Sequence, residues 1–356
     1  PQPIQTNLFS NKREFILIAL LQLIIVVTFF GPILIQGKIP INSDYLLRFF
    51  PWSANYSSSD SFINPIISDA VDSRIPNRIF FSDTIEAGEF PAWNPNISTG
   101  SPFAYLIFSD TFALGNISTI IFGKIWGVFA YQFLKLYIIG IFTYLLLRAR
   151  KLSLVSSLSG MILATFSTYI MVYAGNHVVD SVIYMPALMY IGDHYIETRR
   201  PTSLSLISLL VALIILSGFP AISIYVIIIS AGYLAFRLVS TDWERNTPLK
   251  FRLKILVSIA GAFIIGLLLS SISLLPTMEF FDQINLGYRS GRGAGRLAEL
   301  FVWRIFRPDF CGNPTEGNYF CPANYNESSL YTGLLPLILL PYIFSKKRWS
   351  NFTVYF

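Results

Sequence analysis

Two stretches of this sequence place carboxylates beside aromatic and basic residues just past a long apolar run. The first is "NSDYLLRFFPWSANY", residues 42–56, with Asp44, Arg48 and Trp52; the second is "ISDAVDSRIPNRIFF", residues 67–81, with Asp69 and Asp72. Both carry Ser-Asp, six residues, then Pro, so Asp44 to Pro51 and Asp69 to Pro76 have the same spacing. A carboxylate at a membrane mouth can act as a general base on a hydroxyl arriving from water. It can equally cap a short amphipathic helix, and Ser43-Asp44 before "YLLRFFPW" fits that reading.

A third stretch, "GYRSGRGAGRLAELFVWRIFRP" at 287–308, carries Arg289, Arg292, Arg296, Arg304 and Arg307 among glycines. Glycine lets a backbone bend closely round an anion, and arginine pairs bidentately with phosphate oxygens. Phosphate recognition centred on Arg289 and Arg292 is one reading; a loop resting on anionic headgroups is the other. The pattern Gly-x4-Gly-Lys-Ser/Thr is absent, which argues against a nucleotide P-loop.

His177 stands beside Asn176 and Asp180 at the end of an apolar run, and Glu279 follows Pro276 where another ends. Ionisable groups at membrane depth tend to be functional, so both join the candidates for substrate binding. The other histidine, His194, is expected near the opposite face. Lys135 is the main charge within an expected span, and Asp193 falls near the end of one.

These residues need a frame, and composition supplies it. The 356 residues are 53% hydrophobic and only 13% charged, with a mean hydropathy of +0.56. Soluble domains carry about 25% charge, so the chain reads as an all-α integral membrane protein. Its net charge of +6 fits basic loops on one membrane face and gives no sign of a nucleic-acid partner.

Eight spans are expected, at about 15–35, 128–147, 153–173, 179–197, 203–218, 220–237, 255–275 and 330–345. Basic clusters at 12–13, 148–151, 199–200, 237–254 and 346–348 mark every second boundary. The alternation puts the N-terminus in the cytoplasm and two large loops, 37–127 and 276–329, outside it. Residues 103–128, broken by Asp110, Gly115 and Asn116, suit short helices better than a span. Cys311 and Cys321 share the second loop, where a disulfide is expected and two free thiols are the alternative. The sequons at Asn55, Asn96, Asn116 and Asn326 decide nothing. The chain reads as one transmembrane domain, and the closing "NFTVYF" reads as the start of a further span.

The first loop continues "IEAGEFPAWNPNISTGSPF", 85–103. Ser-Asp-x6-Pro, then Gly-Glu-x-Pro-x-Trp-Asn-Pro, then Gly-x-Pro resembles the YfhO-type membrane protein family of the GT-C glycosyltransferase superfamily. "GNHVVDSVIYMPALMY", "LSGFPAISIY", "LLPTMEFF" and "LYTGLLPLILLP" follow in the family's order. The stretch "FSDTFALGN", 108–116, departs from it, since the family more often shows an aromatic followed by proline there.

The resemblance implies a GT-C-like helical bundle whose outer loops carry short helices. It also implies inverting transfer of a sugar from a polyprenyl-phosphate carrier to a cell-envelope glycan or lipid acceptor. The catalytic acid of such enzymes lies in the first outer loop near the end of the first span. That position falls on Asp44 or Asp69, with Asp72 a weaker third. Arg48, Trp52, His177, Glu279, Arg289 and Arg292 become candidates for substrate contact, while Trp93 in "PAWNP" reads as loop packing. Mg2+ or Mn2+ could assist through oxygen ligands, although no compact ligand cluster is visible. The rival expectations are a transporter or flippase of lipid-linked sugars and a non-catalytic envelope assembly factor.

Overall fold

The computed structural model describes residues 12–55, 68–97, 99–240, 249–283, 298–321 and 325–345. These are predominantly helical. Five helical segments are long and apolar enough to cross a membrane: Lys12–Ile35, Lys124–Ala149, Leu154–Val172, Pro220–Ser240 and Leu249–Leu269. The protein is an all-α membrane protein.

Helix α1 (Lys12–Ile35) shows what its surroundings must be. Its buried residues are Ile18, Gln22, Val26 and Phe30, a single stripe at four-residue spacing. Leu17 and Ile24, off that stripe, are 66% and 60% exposed. Such a helix has one narrow face for its neighbours and needs an apolar solvent for the rest.

The first loop carries α2 (Ile75–Glu86), β1 (Trp93–Asn94), β2 (Ser101–Pro102) and α3 (Leu114–Phe122). The strands pair antiparallel, Trp93 opposite Pro102. Two tight 3-10 turns, Ser43–Arg48 and Trp52–Asn55, precede them, and a wide π-type turn, Ala70–Arg74, runs directly into α2. Helix α3 meets α4 (Lys124–Ala149) at Gly123, whose φ of +80 suits glycine. The expectation of short helices across 103–128 is met by the turn Ile107–Ser109 and α3.

Helix α4 packs against α1, α3, α5 (Leu154–Thr165) and α7 (Met185–Thr198). A short α6 (Thr168–Val172) continues the direction of α5 within the apolar segment Leu154–Val172. Then come α8 (Pro201–Ile215), α9 (Pro220–Ser240), α10 (Leu249–Leu269), α11 (Ser271–Gln283), α12 (Ala298–Phe306) and α13 (Leu334–Ser345). The expected spans at 179–197, 203–218 and 330–345 appear as shorter helices. Two 3-10 turns, His177–Val179 and Val182–Tyr184, delay the start of α7, and Pro201 and Pro220 bracket α8. At 14 and 15 residues, α7 and α8 are about 21 and 22 Å long, short of the roughly 30 Å hydrocarbon core. The "NFTVYF" segment lies outside the described residues.

Polar ties fix the bundle. The Gln22 amide on α1 donates to the Leu136 carbonyl and to the Thr165 hydroxyl, each at 3.0 Å. Gly140 makes room for it, because a Cβ there would stand 2.6 Å from Gln22 Cδ and Thr165 Oγ1.

The two ends of the bundle differ. At one end Glu14 accepts from Arg148 Nε at 2.8 Å and from Tyr144 OH at 2.6 Å. There Asp193 takes Arg150 Nε at 2.9 Å, Arg237 Nε at 2.8 Å and Tyr233 OH at 2.6 Å. We call this the basic end. The opposite, loop end gathers α2, the turn Ile107–Ser109, residues 174–184 and Gly218, and α11 reaches it through Thr277, whose hydroxyl accepts from Ile107 N–H at 2.9 Å.

Asp193 is thus a three-helix staple joining α4, α7 and α9. Asp193→Ala leaves two nearly buried guanidinium groups without their shared partner. It should cost about 3–5 kcal/mol, read as a lowered unfolding midpoint of the detergent-solubilised protein.

Candidate functional site

The loop end holds a chain of alternating charges, and local structure explains each member. On the wide turn and α2, Arg74 and Arg78 stand one helical turn apart and both project inward. Asp110 closes the turn Ile107–Ser109 in a left-handed conformation, φ 43 and ψ 29. Asn116 holds it there by donating from Nδ2 to the Asp110 carbonyl at 2.8 Å. Gly218, itself at φ +91, presses against it, and a Cβ there would stand 2.9 Å from Asp110 Cβ. Tyr131 and Lys135 share one face of α4. Asp180 sits between the two turns that lead into α7.

The distances run in sequence. Arg74 Nη1 lies 3.7 Å from Asp110 Oδ1, and Arg78 Nη2 lies 3.0 Å from Asp110 Oδ2. The same Arg78 nitrogen is 3.8 Å from Asp180 Oδ2, and Lys135 Nζ is 2.5 Å from Asp180 Oδ1. Three cations therefore alternate with two carboxylates. Both carboxylates are fully buried, Lys135 is 1% exposed, and Arg74 is the most exposed member, at 11%.

Burying an isolated charge is prohibitive, and the alternation of opposite charges is what makes the arrangement tolerable. Lys135 uses its remaining two donors on the carbonyls of Ala174 at 3.1 Å and Asn176 at 2.7 Å. The Tyr131 ring lies between two of the cations, 4.8 Å from Arg78 and 4.6 Å from Lys135. Gly115 admits the Arg78 guanidinium: a Cβ there would stand 2.6 Å from its Cζ.

His177 completes the cluster. Arg74 donates to the Phe108 carbonyl and, from Nη2, to His177 Nε2 at 2.7 Å. An arginine has no acceptor, so Nε2 accepts and the imidazole is neutral with its proton on Nδ1. Burial, and then the charges of Arg74, Lys135 and Arg78, push the His177 pKa down from 6.5 to about 2. Phe219 packs edge-on against the ring at 5.2 Å. His177 Nδ1, Thr111 Oγ1 and Asn116 Oδ1 are buried without a hydrogen-bond partner among the described residues.

The carboxylates singled out in the sequence lie on the surface of this end. Asp69 and Asp72 are exposed on and beside the wide turn that carries Arg74, and Asp69 is close enough to favour the Arg74 charge. Asp44, half-buried, lies on the turn Ser43–Arg48, which packs against that wide turn. Asn42 takes the cap position there, and no side chain caps the turn. Arg48 and Trp52 are exposed on the same excursion. The turn bearing Asp44 and Arg48 thus packs against the turn that carries Asp72 and Arg74, with Asp69 at its start.

Other candidates fare differently. Glu279 is exposed on α11, about 200° round the helix from the docked Thr277, so it faces away from the contact. Arg289 and Arg292 lie outside the described residues. Trp93 is 55% exposed, yet its indole covers Gly100, whose φ is +103, so it also packs the loop. Among the described residues no group of three or more His, Cys, Asp or Glu could hold a metal ion. The two buried carboxylates are taken by guanidinium and ammonium groups, so the cluster does not fit a Mg2+ or Mn2+ site.

Sequence reasoning passed over Arg74, Arg78 and Asp110. A signal was present: two arginines at i and i+4 beside the Ser-Asp motif, and a lone acid in an apolar run, which must find a partner. Comparisons with protein-family models, curated proteins and solved structures return no match.

The neutral His177 sets a pH dependence. Its pKa is depressed on folding, so the unfolded chain binds the extra proton below 6.5. Stability should be full above that pH and fall as pH drops towards 2, by up to about 1.4 kcal/mol per unit. Denaturant titrations between pH 7 and 5 should show this slope, and His177→Gln should flatten it.

Proposed function

We propose that this protein is a membrane glycosyltransferase of GT-C type, similar to the YfhO family, that uses a polyprenyl-phosphate-linked sugar. The observation that carries the reading is the packing of the Asp44 turn against the turn that carries Arg74, with Asp69 at the start of that turn and close enough to favour the Arg74 charge. A hydroxyl acceptor needs a base, and a departing phosphate needs a fixed cation. Both lie at one end of the bundle.

In this mechanism Asp44 or Asp69 takes the acceptor proton as the acceptor oxygen bonds to the anomeric carbon. The bond from that carbon to the carrier phosphate breaks, and its electron pair leaves with the phosphate. Attack from the opposite face inverts the centre. Arg74 faces the phosphate charge, and Arg48, exposed on the neighbouring turn, adds a second cation. The buried charges behind Arg74 hold the guanidinium in place, so little reorganisation is needed.

The basic end, with Arg148, Arg150 and Arg237, faces the cytoplasm in this reading, by the positive-inside rule. The loop end then lies outside, where an envelope glycan or lipid acceptor arrives from water while the donor stays in the membrane lipids.

The Lys135–Asp180 pair, buried against α4, is the feature that favours the rival reading as a transporter of lipid-linked sugars. One assay separates the two. Reconstituted protein is given a panel of labelled polyprenyl-phosphate sugars and envelope acceptor, with and without Mg2+ or Mn2+. Transfer should occur, and Asp44→Asn or Asp69→Asn should lose about 10²–10⁴-fold in turnover while still binding donor. Donor movement across the membrane without transfer would replace the enzyme with a transporter, and neither event would leave an assembly role.

A further inference from the structure

Helix α12 is built inside out. Arg304 is fully buried, while Val302, Trp303 and Phe306 are each more than half exposed. At about 100° per residue, Val302 and Phe306 lie about 200° round the helix from Arg304, on the opposite face. In a helix on a soluble domain the charge would face water and the aromatics the core.

The inward face is centred on Arg304. Arg304 donates from Nε to the Pro308 carbonyl at 3.0 Å and from Nη1 to the Tyr325 carbonyl at 2.8 Å, and it also contacts the Ser328 hydroxyl. Its guanidinium lies 4.3 Å from the Tyr325 ring. The Cys311–Cys321 disulfide closes the same segment, with Cys311 buried. The result is a small cap folded round one arginine, with α12 as its outer wall.

The outward face has a pattern of its own. Trp303 stacks with Phe310 at 5.9 Å and lies 6.4 Å from Phe306. Phe310 is itself 38% exposed, and Arg307 is exposed beside the rings. Aromatic rings flanked by arginine are the composition of a membrane–water interface, where rings sit at headgroup level and the guanidinium meets phosphate.

Two features fix where this face is. The chain beyond the cap is tied to the bundle by a hydrogen bond from Thr168 N–H to the Tyr331 carbonyl at 3.0 Å, at the junction of α5 and α6. It then enters the apolar helix α13, whose Leu334 and Ile338 are 60% and 69% exposed. The cap therefore hangs between membrane-embedded elements at the loop end.

We propose that Trp303, Phe306 and Phe310, with Arg307, form an interfacial anchor that seats the cap on the bilayer surface, with anionic lipid headgroups as the partner of Arg307. This surface is separate from the Arg74 cluster and does not depend on the transfer reaction.

The test uses the whole protein in vesicles of phosphatidylcholine and phosphatidylglycerol. The phosphatidylcholine is brominated either near the headgroup or near the chain end. The Trp303 emission is the difference between the native protein and Trp303→Phe. A second probe, Phe306→Trp in the Trp303→Phe background, reports from the same face if the first difference is small. Lipid brominated near the headgroup should quench both signals more than lipid brominated near the chain end, and aqueous iodide should quench them least. Quenching by iodide alone would overturn the proposal. Protection from both quenchers would overturn it too, because the face would then be covered by protein.

Discussion

The position of Arg78 between Asp110 and Asp180 is the constraint on which the loop end depends. One guanidinium from the first loop hydrogen-bonds an acid of that loop at 3.0 Å and lies 3.8 Å from an acid of the bundle, and both acids are fully buried. Without it, Asp110 would keep the longer contact with Arg74, and Asp180 would keep Lys135 and the Tyr131 hydroxyl. A buried ion pair adds little net stability, but the loss of one member is severe. The network therefore works as a register device. It fixes how the loop sits on the helices, and so where the turns of Asp44 and Asp69 stand relative to Arg74.

The glycines around this network follow the same logic. Gly115 leaves room for the guanidinium, and Gly218 lets the α8–α9 corner approach Asp110. Asn176 caps the turn at His177, accepting from Val178 N–H at 3.4 Å, which helps aim its own carbonyl at Lys135. In the sequence these residues look like turn formers. In the structure they give the charges their exact separation from one another.

Much of the fold was legible from apolar length alone, because a span needs little beyond about 20 apolar residues. What hydropathy could not show was the shortening of α7 and α8, where turn residues interrupt an apolar run without making it polar. The site was legible in part. His177, singled out from its setting, lies in the buried cluster, and the paired Ser-Asp motifs lie on turns that pack together. Asp110 was obscured because a single acid hardly lowers the hydropathy of its surroundings. Arg74 and Arg78 were obscured because arginine in a loop normally means solvent. Their meaning is a matter of tertiary pairing, which composition and spacing do not encode.

The Lys135–Asp180 pair also bears on how the chain is made. Lys135 belongs to α4, whereas Asp180 follows the whole of α5 and α6. A chain synthesised from its N-terminus must present Lys135 to the membrane before its carboxylate partner exists. An unpaired lysine at the centre of a helix costs about 2.5–3.5 kcal/mol on insertion scales. The apolar remainder of α4 must carry that penalty until the segment after α6 arrives. The pair can close only once α4, α5 and α6 have all been made, and Asp180 is the residue that closes it.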